Sequence, residues 1–205
     1  MVQQIVKAVL FDLGGVVMEY GNFNNYLNRL KIIQAHPELK KRFEQFECGL
    51  LTIHDIEPEL LESVGIKNAE DLERVNPANS LKQKNPYIDG AIQSLRSSGK
   101  YLLGILTNNG YWVPDRSETT LGIDTSAFDF VIESCKIGKR KPNSDFYETA
   151  LQKMGLSAGE CVFIDDLEVN CKGAEDVGIR SIWLKNGDFK AATEQLEEIL
   201  GEKIL

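Results

Sequence analysis

Four short segments of the chain carry side chains capable of polar chemistry, and each lies at or just beyond the end of a predicted strand. The first is Phe11-Asp12-Leu13-Gly14-Gly15-Val16. An aspartate at a strand's carboxyl end faces the crevice where open α/β sheets hold ligands. The glycines let a backbone approach a ligand closely, although an Asp-Gly-type turn has the same composition. The Gly-x-Gly-x-x-Gly spacing of dinucleotide sites is absent, and so is a P-loop. The second is Leu106-Thr107-Asn108-Asn109-Gly110. A hydroxyl followed by backbone N–H groups can hold an oxyanion, and Asn-Gly is also a common turn. The third is Lys139-Arg140-Lys141-Pro142-Asn143. Pro142 at the start of a predicted helix would fix Lys141 at the loop's end, where its ammonium can serve phosphate as a point charge. A solvated basic loop is the plainer alternative. The fourth is Phe163-Ile164-Asp165-Asp166-Leu167-Glu168-Val169-Asn170. Adjacent carboxylates repel unless a cation or hydrogen bonds compensate. Mg²⁺ takes oxygen ligands, keeps several waters and needs only one or two carboxylates. Capping of the next helix is the competing role, and one aspartate can belong to each.

The elements that must position these loops follow from hydrophobic patterning. Ile5–Phe11, Tyr101–Leu106, Phe128–Ile132, Cys161–Ile164 and Arg180–Leu184 are short apolar runs, as expected of buried parallel strands. Helical periodicity separates most of them, over Ile88–Arg96, Phe146–Met154 and Val169–Val177, and Ala191–Leu200 closes the chain. Gly99, Gly155, Gly178 and Gly201 follow as stops. This alternation predicts a doubly wound, Rossmann-like α/β fold around a parallel sheet. Between about Tyr20 and Asn85 no strand is expected. Phe23–Ile33, Glu38–Glu47, Ile53–Val64 and Ala69–Arg74 are amphipathic and charged, punctuated by Pro37, Gly49, Gly65 and Pro77. The organisation expected is a core domain over 1–18 and 86–205 with a small all-helical cap over 19–85, inserted after the first strand and lying over the strands' carboxyl ends.

The chain has 205 residues, of which 42% are hydrophobic, enough for one sizeable domain with a small insert. Its formal net charge of -8 opposes polyanions, so nucleic acid is not an expected partner. Cys48, Cys135, Cys161 and Cys171 form no Cys-x-x-Cys pair, and Cys161, in an apolar run, reads as a buried free thiol. With only His36 and His54 available, zinc is not expected. The cysteine usage suits a reducing cytoplasm. The first residues lack the layout of a signal peptide, and no apolar run approaches the ~20 residues of a membrane span. Neither a membrane nor a particular oligomeric state is implied.

The order of the four segments, aspartate, hydroxyl, lysine and paired acids, resembles the haloacid-dehalogenase-like hydrolase superfamily. Val9-Leu-Phe-Asp-Leu-Gly-Gly-Val16, Leu106-Thr-Asn-Asn109, Gly138-Lys-Arg-Lys-Pro142 and Val162-Phe-Ile-Asp-Asp-Leu-Glu-Val-Asn170 carry the resemblance. Leu-Gly-Gly and Thr-Asn-Asn look like the subgroup containing sugar-phosphate phosphatases and the amino-terminal phosphatase domain of soluble epoxide hydrolase. Phe46-Glu47-Cys48-Gly49 and Asp55-Ile56 resemble that subgroup's helical cap. The resemblance implies an Mg²⁺-dependent phosphatase acting on a small phosphorylated metabolite. Asp12 would attack phosphorus and form an aspartyl-phosphate. Mg²⁺ would bind the Asp12 carboxylate, the Gly14 carbonyl and Asp166, with Asp165 nearby or bound through water. Thr107 and the Asn108 backbone would hold the phosphoryl group, and Lys141 would neutralise charge.

One departure stands out. Most phosphatases of the superfamily have a second aspartate two residues after the nucleophile, as general acid and base, and here that position is Gly14. Such proton transfer is worth about 10²–10⁴-fold in rate. A leaving group needing little protonation, or an acid from elsewhere such as Glu19 or Glu47, would meet the loss. The dehalogenase branch also lacks this aspartate, but it needs no metal and normally carries an aromatic residue where Gly14 stands. A phosphate-binding protein with weak activity is the third alternative. Tyr20, Asn22, Tyr111 and Trp112 could border the site, or simply pack.

Overall fold

The structure, a computed structural model, describes residues 5–20, 31, 33–56 and 81–205. Its elements in chain order are β1 (Ala8–Phe11), β2 (Met18–Tyr20), α1 (Pro37–Glu47), β3 (Leu81–Lys84), α2 (Pro86–Ser98), β4 (Leu102–Thr107), β5 (Phe130–Glu133), α3 (Ser134–Ile137), α4 (Ser144–Met154), β6 (Cys161–Asp165), α5 (Glu168–Asp176), β7 (Arg180–Trp183) and α6 (Phe189–Leu200). Five strands pair in parallel, in the order β5-β4-β1-β6-β7. This is the expected doubly wound, Rossmann-like sheet.

Alternation along the strands feeds two cores. Val9, Phe11, Leu103, Ile105, Val162 and Ile164 pack on one face with Ile88, Ile92 and Leu95 of α2 and Leu196 of α6. Ala8, Leu10, Leu106 and Phe163 pack on the other with Phe146, Tyr147 and Ala150 of α4 and Ala174 of α5. Both faces being covered explains why β1 is buried at every residue. Side-chain caps open α2 and α6. The Asn85 side chain accepts a hydrogen bond from the Tyr87 N–H at the start of α2, and Gly99 closes that helix in the left-handed conformation.

The expected strands are all present, but three extend past their apolar runs onto a polar residue: Thr107 in β4, Glu133 in β5 and Asp165 in β6. Apolar content marks burial between layers, whereas pairing continues to the strand ends, where polar groups meet the ligand crevice. β1, β4 and β6 are neighbours, and β1 is where the chain's direction of winding reverses. Their carboxyl ends therefore gather Asp12, Thr107 and Asp165 at the topological switch point.

The segment after β1 departs from the expectation of helices alone. Leu81–Lys84 is a strand, antiparallel to Met18–Tyr20. Leu-Lys-Gln-Lys has little strand propensity, and its conformation comes from backbone pairing with β2, which no side-chain pattern reports. Of the expected helices, Glu38–Glu47 is present as α1, and a short turn of helix covers 53–56. Most of Phe23–Ile33, the remainder of Ile53–Val64, and Ala69–Arg74 lie outside the described residues. Phe46 of α1, Ile53 and Ile56 form a third, small apolar cluster with Phe43, Leu51 and Trp112. No helix among the described residues is long and apolar enough to cross a membrane.

A different expectation fails at Pro142. It does not open a helix: α4 begins at Ser144 behind the N-cap Asn143. Instead, the Lys141–Pro142 peptide is cis, and α5 runs directly against the Pro142 carbonyl. A Cβ on Gly173 would overlap that oxygen. Alanine in a helix interior ordinarily gains about 1 kcal/mol over glycine. Here backbone overlap opposes the gain, and Gly173→Ala is expected to lower stability by about 1–3 kcal/mol. Chemical denaturation measures the sign.

Candidate active site

Each site residue is held by the local fold. The Asp12 N–H donates to the Ile164 carbonyl (2.9 Å), which carries β1–β6 pairing one residue past the strand. The loop then closes tightly: Gly15 N–H donates to the Met18 carbonyl (2.8 Å) and Met18 N–H to the Leu13 carbonyl (2.9 Å). Gly15 has φ of 82°, and a Cβ there would overlap the Asp166 carboxylate. The left-handed backbone and the contact with Asp166 both require glycine.

Lys141 is the centre of the site and is only 1% exposed. Its Nζ donates to Asp12 Oδ1 (2.8 Å) and to Asp165 Oδ2 (2.6 Å), and lies 5.1 Å from the centroid of the Phe163 ring. Its backbone is clamped by Asn108, whose amide accepts from the Lys141 N–H (2.8 Å) and donates to the Lys141 carbonyl (3.0 Å). The Asn108 side chain thus positions the lysine, while the Thr107 hydroxyl makes only a long 3.5 Å contact with the Asn108 carbonyl.

Asp12 Oδ1 also accepts the Leu13 N–H at 2.7 Å. Asp165 is saturated. Its Oδ1 accepts from the Leu167 N–H (2.8 Å) and Asn170 Nδ2 (3.0 Å), and its Oδ2 from Asn170 (3.1 Å) and Lys141. Asp166 is the opposite case, because both its carboxylate oxygens are buried with no hydrogen-bond partner. Neither aspartate caps α5, whose N-cap is Leu167 with no side-chain cap bond.

One oxygen from each of Asp12, Asp165 and Asp166 lies within 4.8 Å of the others. Three carboxylates against one ammonium leave two negative charges, which is the charge of one divalent cation. The titration behaviour reflects this excess. Burial pushes the Asp12 carboxyl up to about 7, with Lys141 opposing and Asp165 adding to the rise. Burial, then repulsion from Asp165 and Asp12, puts Asp166 well above the ordinary carboxylate range. Burial pulls the Lys141 ammonium down, but the two carboxylates outweigh it and hold it above the usual lysine value. Orphaned oxygens beside two further hard ligands fit a small hard cation such as Mg²⁺, and among the described residues Asp166 is the acid of the cluster with no hydrogen-bond partner.

The four segments found in the sequence therefore converge. Patterning did not reveal the supports. Asn170, at the third position of α5, reaches back to Asp165. Glu133, 2% exposed, accepts from Asn109 Nδ2 (2.6 Å) and Thr119, which anchors the loop after Thr107. Trp183 donates its indole N–H to the Asp166 carbonyl (3.1 Å). An Asn one turn after a strand-end acid pair is a signal that could have found the first. Glu133 and Trp183 are brought in by strand pairing, with no local signature. Of the candidate border aromatics, Trp112 packs in the small cluster and Tyr111 bridges Thr52 and Thr119. Asn22 lies outside the described residues. Arg140, beside Lys141, donates to Glu47 of α1, a carboxyl raised by burial against the opposing pull of Arg140.

Carboxyls raised on folding bind more protons in the folded state. The metal-free protein is therefore expected to lose stability as pH rises from about 4, the ordinary aspartate value, towards the Asp12 value of about 7. Asp166→Asn should make that slope shallower. Mg²⁺ at a hundred times its dissociation constant should stabilise the native chain by about 2.7 kcal/mol, and this gain should vanish in Asp166→Asn. Thermal melts across pH, with and without Mg²⁺, measure both effects.

Comparison with known proteins agrees with this geometry. The family profile of haloacid dehalogenase-like hydrolases matches residues 6–178. Acyl-CoA dehydrogenase family member 10 of Mus musculus is 34% identical over 116 residues, which is 57% of this chain but 10% of that protein. The sesquiterpene phosphatase of Aspergillus oryzae is 24% identical over 196 residues, covering 95% of this chain and 97% of that protein. A HAD family enzyme of Bacteroides thetaiotaomicron, solved with magnesium and inorganic phosphate, superposes with a TM-score of 0.65 at 25% identity, over 89% of this chain and 96% of that one. The chain thus spans a small part of one relative and nearly all of another. With the matched profile covering most of its length, the chain belongs to the haloacid dehalogenase-like hydrolases.

Proposed function

We propose that this hydrolase is an Mg²⁺-dependent phosphatase that removes phosphate from a small phosphorylated metabolite, such as a sugar phosphate, through an aspartyl-phosphate on Asp12. The observation that carries the proposal is the buried acid cluster, with its two unbalanced charges and the unpartnered Asp166 oxygens. The named function of the Aspergillus relative and the magnesium and phosphate in the Bacteroides enzyme support it.

In this reading Asp12, the Gly14 carbonyl and Asp166 hold Mg²⁺, and Asp165, already engaged by Lys141, contributes from the second layer or through water. Bound Mg²⁺ supplies positive charge that lets an anionic nucleophile meet an anionic phosphate. The protein's own groups do the rest. Lys141 holds the Asp12 carboxylate in place and offsets its charge. The Thr107 hydroxyl and the Asn108 N–H cradle the phosphoryl oxygens. Asp12 attacks phosphorus, and water then cleaves the acyl phosphate. Phosphoryl transfer relies mainly on such positioning and charge compensation, and a covalent intermediate divides the barrier in two.

We assign residues 19–85 to a cap and 1–18 with 86–205 to the core. Phe46 of α1 packs so closely on Gly110 that a Cβ there would overlap its ring, and Arg140 pairs with Glu47. These contacts support a cap seated on the loops that carry Thr107 and Lys141, with its side chains choosing the substrate. The reading also places the protein in the cytoplasm, acting on small molecules.

Purified protein with Mg²⁺ should release inorganic phosphate from members of a metabolite panel. Chelation by EDTA and the Asp12→Asn substitution should each reduce release to background. Halide release from 2-haloacids that persists in EDTA would establish the dehalogenase reading instead, and that reading leaves the Asp166 oxygens without a purpose.

A further inference from the structure

The position two residues after Asp12 has no side chain of its own, yet a functional group stands there. A Cβ built on Gly14 would lie 2.5 Å from the Tyr20 hydroxyl oxygen and 3.0 Å from the ring carbon that bears it. A Cβ on Gly15 would meet the same ring at 2.8 Å. The phenol thus lies across Gly14-Gly15, with its hydroxyl where a residue-14 side chain would begin. The local fold puts it there. Hydrogen bonds between residues 13, 15 and 18 turn the chain back sharply, and pairing of Tyr20 with Leu81 continues the strand. A larger residue at 14 and a tyrosine at 20 exclude one another in this arrangement.

Glu19 and Glu47, the two acids considered from the sequence, are engaged with neighbours. The Glu19 carboxylate accepts from Asn85 and from Gln83 Nε2, and Glu47 is paired with Arg140. Tyr20 is half-buried and borders the loop that carries Asp12.

We propose that Tyr20 replaces the missing acid, its hydroxyl donating to the leaving-group oxygen as Asp12 takes the phosphoryl group. This proposal rests on the phosphatase reading. As the Asp12 oxygen bonds to phosphorus, the bond between phosphorus and the leaving oxygen breaks. That oxygen keeps the electron pair and receives the Tyr20 proton, so an alcohol departs and a phenolate remains. The phenolate then takes a proton from the water that attacks the acyl phosphate. Inorganic phosphate leaves, and Asp12 and Tyr20 return to their starting forms. A phenol hydroxyl can donate a proton. Its help is needed most where the leaving group is a basic alkoxide and least where it is a stable phenolate.

The test compares kcat/KM of the native chain and Tyr20→Phe, both with Mg²⁺, on 4-nitrophenyl, phenyl and benzyl phosphates, whose leaving groups rise in basicity. The expected result is a change within about twofold on 4-nitrophenyl phosphate and a loss of about 10²-fold on benzyl phosphate, within the range of general acid catalysis. A uniform loss along the series, or no loss, overturns the proposal. A native chain that releases phosphate from none of these esters or from the metabolite panel defeats the phosphatase reading itself, a different outcome from a flat series. The double variant Gly14→Asp with Tyr20→Ala provides the second arm. It exchanges the phenol for a carboxylic acid in the vacated space, and should recover benzyl phosphate hydrolysis at least tenfold over Tyr20→Ala alone. No recovery alongside a flat Tyr20→Phe series counts against the role on both arms.

Discussion

The ion triplet of Lys141 with Asp12 and Asp165 is the constraint around which the rest of the structure is arranged. An ammonium this deeply buried is tolerable only with carboxylates in contact, and the carboxylates only with the ammonium. Each partner comes from a different strand end or loop, so the triplet also fixes how β1, β6 and the loop ahead of α4 meet. The surrounding hydrogen bonds serve it. Asn108 grips the lysine's backbone, Asn170 and Leu167 fill the remaining lone pairs of Asp165, and Leu13 holds Asp12. Among the described residues of the site, the Asp166 carboxylate is then the one left without a hydrogen-bond partner.

That incompleteness has a thermodynamic meaning. Packed apolar layers on both faces of the sheet carry the fold, and the acid cluster at its edge works against them through the mutual repulsion of its carboxylates. A divalent ion held by the proposed ligands would relieve that repulsion among groups already in place. Preorganised charges of this kind cost stability at rest and need little rearrangement during reaction.

Much of this was legible in the sequence. β-strands fully buried between helices read as plain apolar runs, and Asp12, Thr107, Lys141 and Asp165-Asp166 stand beside those runs in the chain. What was not legible depends on pairing between distant segments. Leu81–Lys84 becomes a strand because β2 lies beside it. Glu133 becomes an anchor because β5 lies beside β4, bringing it to Asn109. Pro142 read as a helix start, whereas it meets α5 through the bare backbone of Gly173. Tyr20 carried no motif, and its proximity to Gly14 arises from a turn closed by backbone hydrogen bonds among residues 13, 15 and 18.

Arg140 and Lys141 are consecutive residues whose side chains serve different clients. Arg140 reaches Glu47 on α1, and Lys141 reaches the acids at the end of the sheet. One stretch of backbone, clamped by Asn108, therefore acts as a shared pivot. The helix that carries Glu47 and the carboxylate of Asp12 are thereby joined through two adjacent residues.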